Sequence, residues 1–319
     1  MNILMLAIND PAGTAIQFCR ALNRHTPHNA RLATLETRYT HAWEKDLHLP
    51  DLGPDGVEEL GILLREADVL HFHMTCDERQ PFGPFLPADH LAGKAVVHHH
   101  HGHHDFRTNP QSFRDKYRRL GRANLLVSTP DLLKLLPEAR WLPNLVPVDD
   151  PLLTPLPGRF GDPGPLRVCH SPTRKDLKNT DDFLAVVKAM AGGPHRLAVD
   201  LIDDVPNSEC LARKRRCHVL FDHMQGYYGV SSLEGLSQGL AVIAGLDAWN
   251  REQVARFAGT DDLPWVPARD QTELEARLRE LAEDRDRCRA VGETSRRFMV
   301  ERWSDRIVAG HLARFYESL

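Results

Sequence analysis

The chain has no cysteine pair at C-x-x-C spacing, no excess of either charge, and no apolar run near the ~18 residues that cross a bilayer. Each absence excludes something. The six cysteines (Cys19, Cys76, Cys169, Cys210, Cys217 and Cys288) are scattered, which argues against a zinc ribbon, a redox pair or a disulfide framework. It is the pattern of reduced, buried thiols in a cytoplasmic protein. With 40 basic and 44 acidic residues the net charge is −4, so there is no global electrostatic case for nucleic acid or an anionic membrane. Residues 1–8 carry no basic residue ahead of their apolar core, so they read as a strand and not as a signal peptide. Apart from one run of histidine there is no repeat or low-complexity tract.

At 319 residues the chain is too long for one ordinary core, and two domains are expected. Residues 2–8 are continuously apolar, as in a parallel strand buried on both faces. The turn Asn9-Asp10-Pro11-Ala12-Gly13 follows, and Ala15, Phe18, Cys19 and Leu22 then recur at helical spacing. The start of such a helix offers free amides to an anion; the alternative is a plain strand–helix turn. Further strands are expected over 67–73, 95–101 and 124–129, which argues a doubly wound parallel sheet. After Leu142-Pro143-Asn144, the Pro- and Gly-rich stretch 149–164 reads as a linker. The second half repeats the alternation, with strands over 166–170, 195–202, 218–222, 240–244 and 263–267. Asn179 or Thr180 caps one helix, and Thr272-Glu273-Leu274-Glu275 reads as a capping box for another. The predicted organisation is an α/β domain over 1–150, a second over 151–302, and a final helix over 303–319.

The stretch 221–245 reads as strand, glycine turn, short helix, glycine stop and strand. Gly226 and Gly229 permit a tight turn and close approach of a ligand, and Ser231 or Ser232 caps the helix. Gly239 ends it. Glu234 is then expected in the first helical turn, at the sheet edge where open α/β folds bind ligands. A second loop follows the strand at 166–170 and carries Ser171, Arg174, Lys175 and Lys178. Arg can grip phosphate bidentately and Lys adds a point charge, so this loop could neutralise a diphosphate. The alternatives are a solvated basic loop and, for Glu234, a surface helix acid. In His98-His99-His100-His101-Gly102-His103-His104 a strand sends neighbours to opposite faces, while a metal needs converging imidazoles. Two members are therefore expected to face the sheet's ligand edge, next to His71 and His73 on the preceding strand. Asp105 and Arg107 could position an acceptor or pair with each other. Tyr227 and Tyr228 could border a base or belong to the core.

Gly-Tyr-Tyr-Gly-Val-Ser-Ser-Leu-Glu-Gly-Leu-Ser-Gln-Gly-Leu-Ala-Val-Ile over 226–243 resembles the nucleotide-sugar signature of family-4 glycosyltransferases. The loop at 170–181 is similar to that family's Arg…Lys diphosphate loop, with Arg174 and Lys178 in the matching places. Thr129-Pro130-Asp131-Leu132-Leu133, Leu142-Pro143-Asn144, the Asp10–Gly13 loop and His101-Gly102 through Asp105 and Arg107 follow the family's order. Where many members carry a glutamate eight residues before the second one, this chain has Gly226. Asp222-His223-Met224-Gln225-Gly226 resembles instead a subgroup with a DQ…GxYG motif. Sugar hydroxyls would then fall to Gln225, the 227–229 backbone or Asp222.

The resemblance implies a GT-B fold, two Rossmann-like domains facing a central cleft, and retaining transfer from a nucleotide-diphosphate sugar with no metal cofactor. The first domain would bind the acceptor and the second the donor, with the last helix returning to the first domain. Arg174, Lys178 and His101 would serve the chemistry. Glu234, Gly13, Gly226, Tyr228, Gly229, Lys175 and Ser171 would hold the donor, and His73, His100, Asp10, Asp105 and Arg107 would line the acceptor side. The acceptor could be a glycan, a lipid-linked intermediate, a small molecule, a protein or a modified nucleic-acid base. Two other readings stay open: a metal-dependent hydrolase on the histidine cluster, and a non-catalytic nucleotide-sugar binder.

Overall fold

A computed structural model describes residues 1–38, 45–161, 164–193 and 197–319. The chain divides into two compact units, Met1–Leu145 with Asp305–Leu319, and Val146–Ser304.

The first unit runs β1 (Asn2–Ala7), α1 (Thr14–His25), β2 (Asn29–Thr34), β3 (Leu47–His48), α2 (Pro54–Glu66), β4 (Val69–His73), β5 (Ala95–His100), α3 (His104–Thr108), α4 (Pro110–Leu120), β6 (Asn124–Val127) and β7 (Arg140–Trp141). These strands form one parallel sheet in the order β3-β2-β1-β4-β5-β6-β7. Strand order reverses between β1 and β4, and the crevice beyond their carboxyl ends is where such sheets take ligands. The continuous apolar runs have the predicted result: all of β4 and all but the first residue of β1 are buried. Ala15, Phe18, Cys19 and Leu22 form the buried face of α1.

The second unit runs β8 (Leu166–His170), α5 (Thr180–Met190), β9 (Leu197–Leu201), α6 (Asn207–Lys214), β10 (Val219–Phe221), α7 (Val230–Ser237), β11 (Ala241–Ala244), α8 (Ala248–Ala258), β12 (Val266–Pro267), α9 (Gln271–Glu283) and α10 (Arg285–Arg302). Its parallel sheet has the order β12-β11-β10-β8-β9, with the reversal between β8 and β10. Val168, Phe183, Val219, Phe221, Ile243 and Leu278 pack its core. The last helix, α11 (Asp305–Glu317), belongs to the first unit, where Asp305 pairs with His25 at 2.9 Å and Tyr316 is buried.

Several local expectations shift. The strand predicted from 195 is described from Leu197, and residues 195 and 196 lie outside the described residues, as do 162 and 163 of the predicted linker. Helix α9 is capped by Asp270, which accepts from Glu273 N at 2.8 Å, and not by Thr272. Asn179 precedes α5 at φ 53° and makes no side-chain cap. The six cysteines are free thiols, and among the described residues no helix is long and apolar enough to cross a membrane.

Gly245 ends β11 against the chain that leaves β10. A Cβ there would lie 2.5 Å from the Met224 carbonyl carbon and 2.6 Å from its Cα, a backbone that cannot swing aside. Gly245→Ala is expected to lower stability by about 1–3 kcal/mol. Urea denaturation checks this, and an unchanged midpoint contradicts it.

Candidate functional site

In the second unit two loops meet beyond the ends of β8 and β10, at the reversal of strand order. His170 ties the two strand ends together. Its Nδ1–H donates to the Phe221 carbonyl at 3.0 Å, so its Nε2 accepts from Thr180 Oγ1 at 2.9 Å. Burial lowers the pKa of this imidazole to about 4, against the raising effect of the Phe221 bond, and keeps it neutral. The loops are then laced directly. Met224 N donates to Asn179 Oδ1 at 3.0 Å, Gln225 Nε2 to the Leu177 carbonyl at 2.5 Å, and Lys178 Nζ to Asp222 Oδ1 at 3.1 Å.

Asp222 is 3% exposed. Its other oxygen, Oδ2, accepts from Gly229 N at 2.6 Å and Ser232 Oγ at 2.7 Å. Burial opposes its ionisation, but the Lys178 ammonium, His223 and the bonds from Gly229 and Ser232 outweigh that and hold it well below the usual carboxylate range. Asp222 is therefore engaged within the protein and is not a spare acceptor for sugar hydroxyls. Gly229 has an ordinary extended backbone, φ −101°, so its need is for space. A Cβ would lie 2.9 Å from Lys178 Nζ and 3.2 Å from both Asp222 oxygens. Gly226 is the conformational glycine, at φ 85°.

Helix α7 begins after Gly229, which is its N-cap. Ser231 and Ser232 are therefore inside the helix and not caps, and Glu234 lies in the second turn, not the first. Nor is Glu234 a surface acid. It is 8% exposed, and its Oε2 accepts from Lys214 Nζ at 2.5 Å. Lys214 is itself 2% exposed and also donates to Ser231 Oγ at 2.8 Å, and Ser231 Oγ lies 3.0 Å from Ser171 Oγ. Burial alone would lower the Lys214 pKa; the Glu234 carboxylate reverses this and keeps the ammonium charged. Sequence reasoning missed Lys214, which sits in a run of basic residues that reads as solvated. The available signal was its i, i+3 spacing from Leu211, which shares its buried face.

Arg174 and Lys175 lie on the outer side of the loop. Arg174 pairs with Asp176, Nε to Oδ1 at 2.9 Å and Nη2 to Oδ2 at 2.5 Å, and Lys175 pairs with Asp203. Tyr228 corrects the expectation of a donor contact. It is buried against Trp265 and Trp303, with ring centroids 5.2 and 6.1 Å away, and belongs to the core.

In the first unit, the loop after β1 corrects another expectation. Asp10 folds its carboxylate over the start of α1 and accepts from Ala15 N at 3.1 Å and Ile16 N at 3.0 Å. Amides predicted to be free for an anion are thus taken by the chain's own acid, while Gly13 makes the turn at φ 64°. The histidine run divides as strand alternation requires. His98 and His100 turn to one face, where His98 stacks on Phe72 at 5.2 Å. His100 stacks on Phe106 at 3.9 Å and bonds Tyr117 Oη at 2.7 Å, which makes it a core residue and not an acceptor contact. His99 and His101 turn to the other face beside His71 and His73. His101 is half-buried, with Nε2 2.9 Å from His73 Nδ1 and Nδ1 3.2 Å from Asn144 Oδ1. Burial lowers its pKa to about 4, partly opposed by Asn144. Arg107 donates to the Gly102 carbonyl at 3.2 Å and pairs with Asp131 at 2.6 Å, while Asp105 is exposed in the first turn of α3.

No protein-family model matches the sequence, and no curated protein matches it. Solved structures do. HepE of Anabaena in complex with UDP is similar with a TM-score of 0.69 at 12% identity, covering 100% of both chains. The same protein with UDP-glucose gives 0.65 at 12% identity, over 99% of this chain and 100% of that one. Sucrose-phosphate synthase of Thermosynechococcus elongatus gives 0.63 at 13% identity, over 100% of this chain and 99% of that one. At such identities the likeness is one of fold. The chain has the GT-B type of α/β fold, with two parallel-sheet domains of seven and five strands.

The Lys214–Glu234 pair makes a prediction independent of ligand. Removing one partner strands a buried charge, so Lys214→Met is expected to destabilise the protein by about 3–5 kcal/mol. Removing both, in Lys214→Met/Glu234→Leu, is expected to recover most of that loss. Chemical denaturation of the single and double variants checks it, and simple additivity contradicts it.

Proposed function

We propose that the chain is a glycosyltransferase that moves a sugar from a nucleotide-diphosphate sugar to an acceptor, with Val146–Ser304 holding the donor. The observation that carries this reading is Lys178, fixed by a buried Asp222 at the point where the five-stranded sheet reverses its strand order. Open α/β sheets take nucleotides there. HepE, which shares the fold, was solved with UDP and with UDP-glucose, so a uridine diphosphate sugar is the first donor to test.

When the bond between sugar and diphosphate breaks, its electron pair stays on the departing phosphate oxygen and negative charge grows there. Preorganised cations stabilise that charge without rearranging at the moment of reaction. Lys178 is such a cation, held by Asp222 with its side chain 24% exposed. Arg174, exposed and paired with Asp176 on its own loop turn, can exchange that carboxylate for a phosphate at little cost. Glu234 would accept from ribose hydroxyls through the oxygen that Lys214 does not occupy, with Ser171, Lys175 and the Gly226–Gly229 turn beside the diphosphate. In this reading the basic loop does the charge neutralisation, no metal is needed for transfer, and the departing oxygen takes the acceptor's proton on the same face, so that configuration is retained. We assign the acceptor to the first unit, where His73, His101, Asp105 and Arg107 border the carboxyl ends of β4 and β5. The 226–243 motif supports a place beside the family-4 enzymes, in the DQ…GxYG subgroup. The unpaired cysteines accord with a cytoplasmic setting.

The test begins with thermal shifts against UDP-, GDP-, ADP- and dTDP-sugars, followed by assay of transfer and of donor hydrolysis with the donor so identified. Arg174→Ala removes an exposed side chain and its surface ion pair with Asp176 and should leave stability within about 1 kcal/mol. Its turnover is expected to fall by about 10²–10³-fold. Near-wild-type turnover in this folded variant contradicts the phosphate assignment.

A further inference from the structure

The first unit gathers three imidazoles that the proposed transfer does not use as catalytic groups. His71 and His73 come from β4 and His99 from β5, where His99 stands opposite His73 in the strand register. They are 0%, 2% and 0% exposed. One ring nitrogen of each lies within 4.8 Å of the others, and the His71 and His73 rings stack at 4.4 Å. Nε2 of His71, Nε2 of His73 and both nitrogens of His99 are buried without a hydrogen-bond partner among the described residues. Such orphaned buried groups are rare in folded proteins.

The hydrogen bonds around the cluster assign the protons of His101 and His73. Asn144 Oδ1 can only accept, so His101 Nδ1 carries a proton and donates to it at 3.2 Å. His101 Nε2 is then a lone pair, and it accepts Nδ1–H of His73 at 2.9 Å. That leaves His73 Nε2 as a bare lone pair in a dry interior. His71 Nδ1 lies 2.6 Å from Tyr316 Oη on α11, and its Nε2 is buried. The hydroxyl can donate or accept, and metal binding through Nε2 selects the tautomer in which Nδ1–H donates to Oη. His99 contributes one lone pair in either tautomer.

We infer that His71, His73 and His99 form a binding site for a divalent transition-metal ion of the zinc class, with Tyr316 and the His101–Asn144 chain as outer partners that hold the ligand tautomers. Metal-binding histidines characteristically donate their other ring nitrogen to such a partner. An all-imidazole set suits zinc, nickel or copper and does not suit magnesium or calcium, which take oxygen ligands. Burial pushes all three pKa values well below the ordinary histidine range, which keeps the imidazoles neutral and ready to bind. With Zn–N bonds of about 2.0–2.1 Å the three nitrogens would draw together to roughly 3.4 Å, a matter of side-chain rotation, and a water or small anion would fill the fourth tetrahedral position. His98 and His100 face away, and His103 and His104 lie beyond the strand, so the loudest part of the run is outside the site. Bound metal would join β4 and β5, and through Tyr316 would couple them to α11.

The experiment uses the full chain prepared without a polyhistidine tag and stripped by dialysis against a chelator. It is titrated with Co²⁺, whose visible absorption reports tetrahedral nitrogen ligation, and then with Zn²⁺ as competitor. The expected result is one equivalent of Co²⁺ per chain with an intense tetrahedral spectrum, displacement by Zn²⁺, and a melting temperature raised by about 5 °C or more at saturating Zn²⁺. Uptake should survive His103→Ala/His104→Ala and disappear in His99→Phe. The spectrum of the unmodified chain decides the matter even if His99→Phe does not fold. No stoichiometric uptake, which would leave the lone pairs to a trapped water, overturns the site. So does a weak octahedral spectrum, or binding lost with His103 and His104, or binding unchanged in folded His99→Phe.

Discussion

The second unit depends on one buried ion pair. Asp222 sits at the end of β10 with 3% of its surface exposed, and an isolated carboxylate there would carry a desolvation penalty of several kcal/mol. It is tolerated because Lys178, the Gly229 amide and the Ser232 hydroxyl converge on its two oxygens. That requirement organises what surrounds it. Residue 229 must be glycine, since a Cβ would intrude on both members of the pair. Helix α7 must begin immediately afterwards, with Ser232 turned back toward Asp222. The loop after β8 must then bring Lys178 across the reversal of strand order, where Asn179 and Gln225 stitch the two loops together. A cation results that is fixed in position yet reachable from solvent.

The two units use the same architecture to opposite electrostatic ends. Each has a loop after its first strand, beside the point where strand order reverses and near a helix start. In the first unit the loop's own acid, Asp10, closes over the amides of α1, and the site is satisfied without a ligand. In the second, Asp222 from the end of β10 holds Lys178 of the loop after β8, and that loop adds Arg174 and Lys175. In the proposed reading an anionic ligand goes to the second reversal and not to the first. The first instead concentrates neutral imidazole, a soft set of nitrogen lone pairs in a dry setting. These are two different chemistries, separable by experiment.

Much of this was legible in the sequence because it rests on short-range periodicity. Continuous apolar runs marked the parallel strands. The period-2 rule required the histidine run to split between the two faces of the sheet, although His100 was expected at the ligand edge and lies on the face opposite His101. The order of basic loop, glycine turn and Glu234 placed these residues at the carboxyl edge of the second sheet. The misses were long-range. The spacing from Leu211 hints that Lys214 is buried, but nothing local reveals that its partner is an acid 20 positions on, nor that this acid lies a turn deeper in its helix because Gly229 and not a serine is the cap. Asp10 looked like a turn residue, and only the path of the chain shows its carboxylate reaching Ala15 and Ile16. Tyr228 and His100 stand beside motif residues but face the core, because the turn at Gly226–Gly229 and the pleat of β5 decide direction one residue at a time.

The central claim is that the loops meeting at Lys178 and Asp222 bind a nucleoside diphosphate. Hydrogen exchange on the whole chain, with and without saturating UDP, GDP, ADP or dTDP, tests it most directly. The account predicts that one of these slows exchange at amides in 171–179 and 226–234 while those of 10–16 stay unchanged. Protection confined to the loop at 10–16, or none with any of the four, would contradict it.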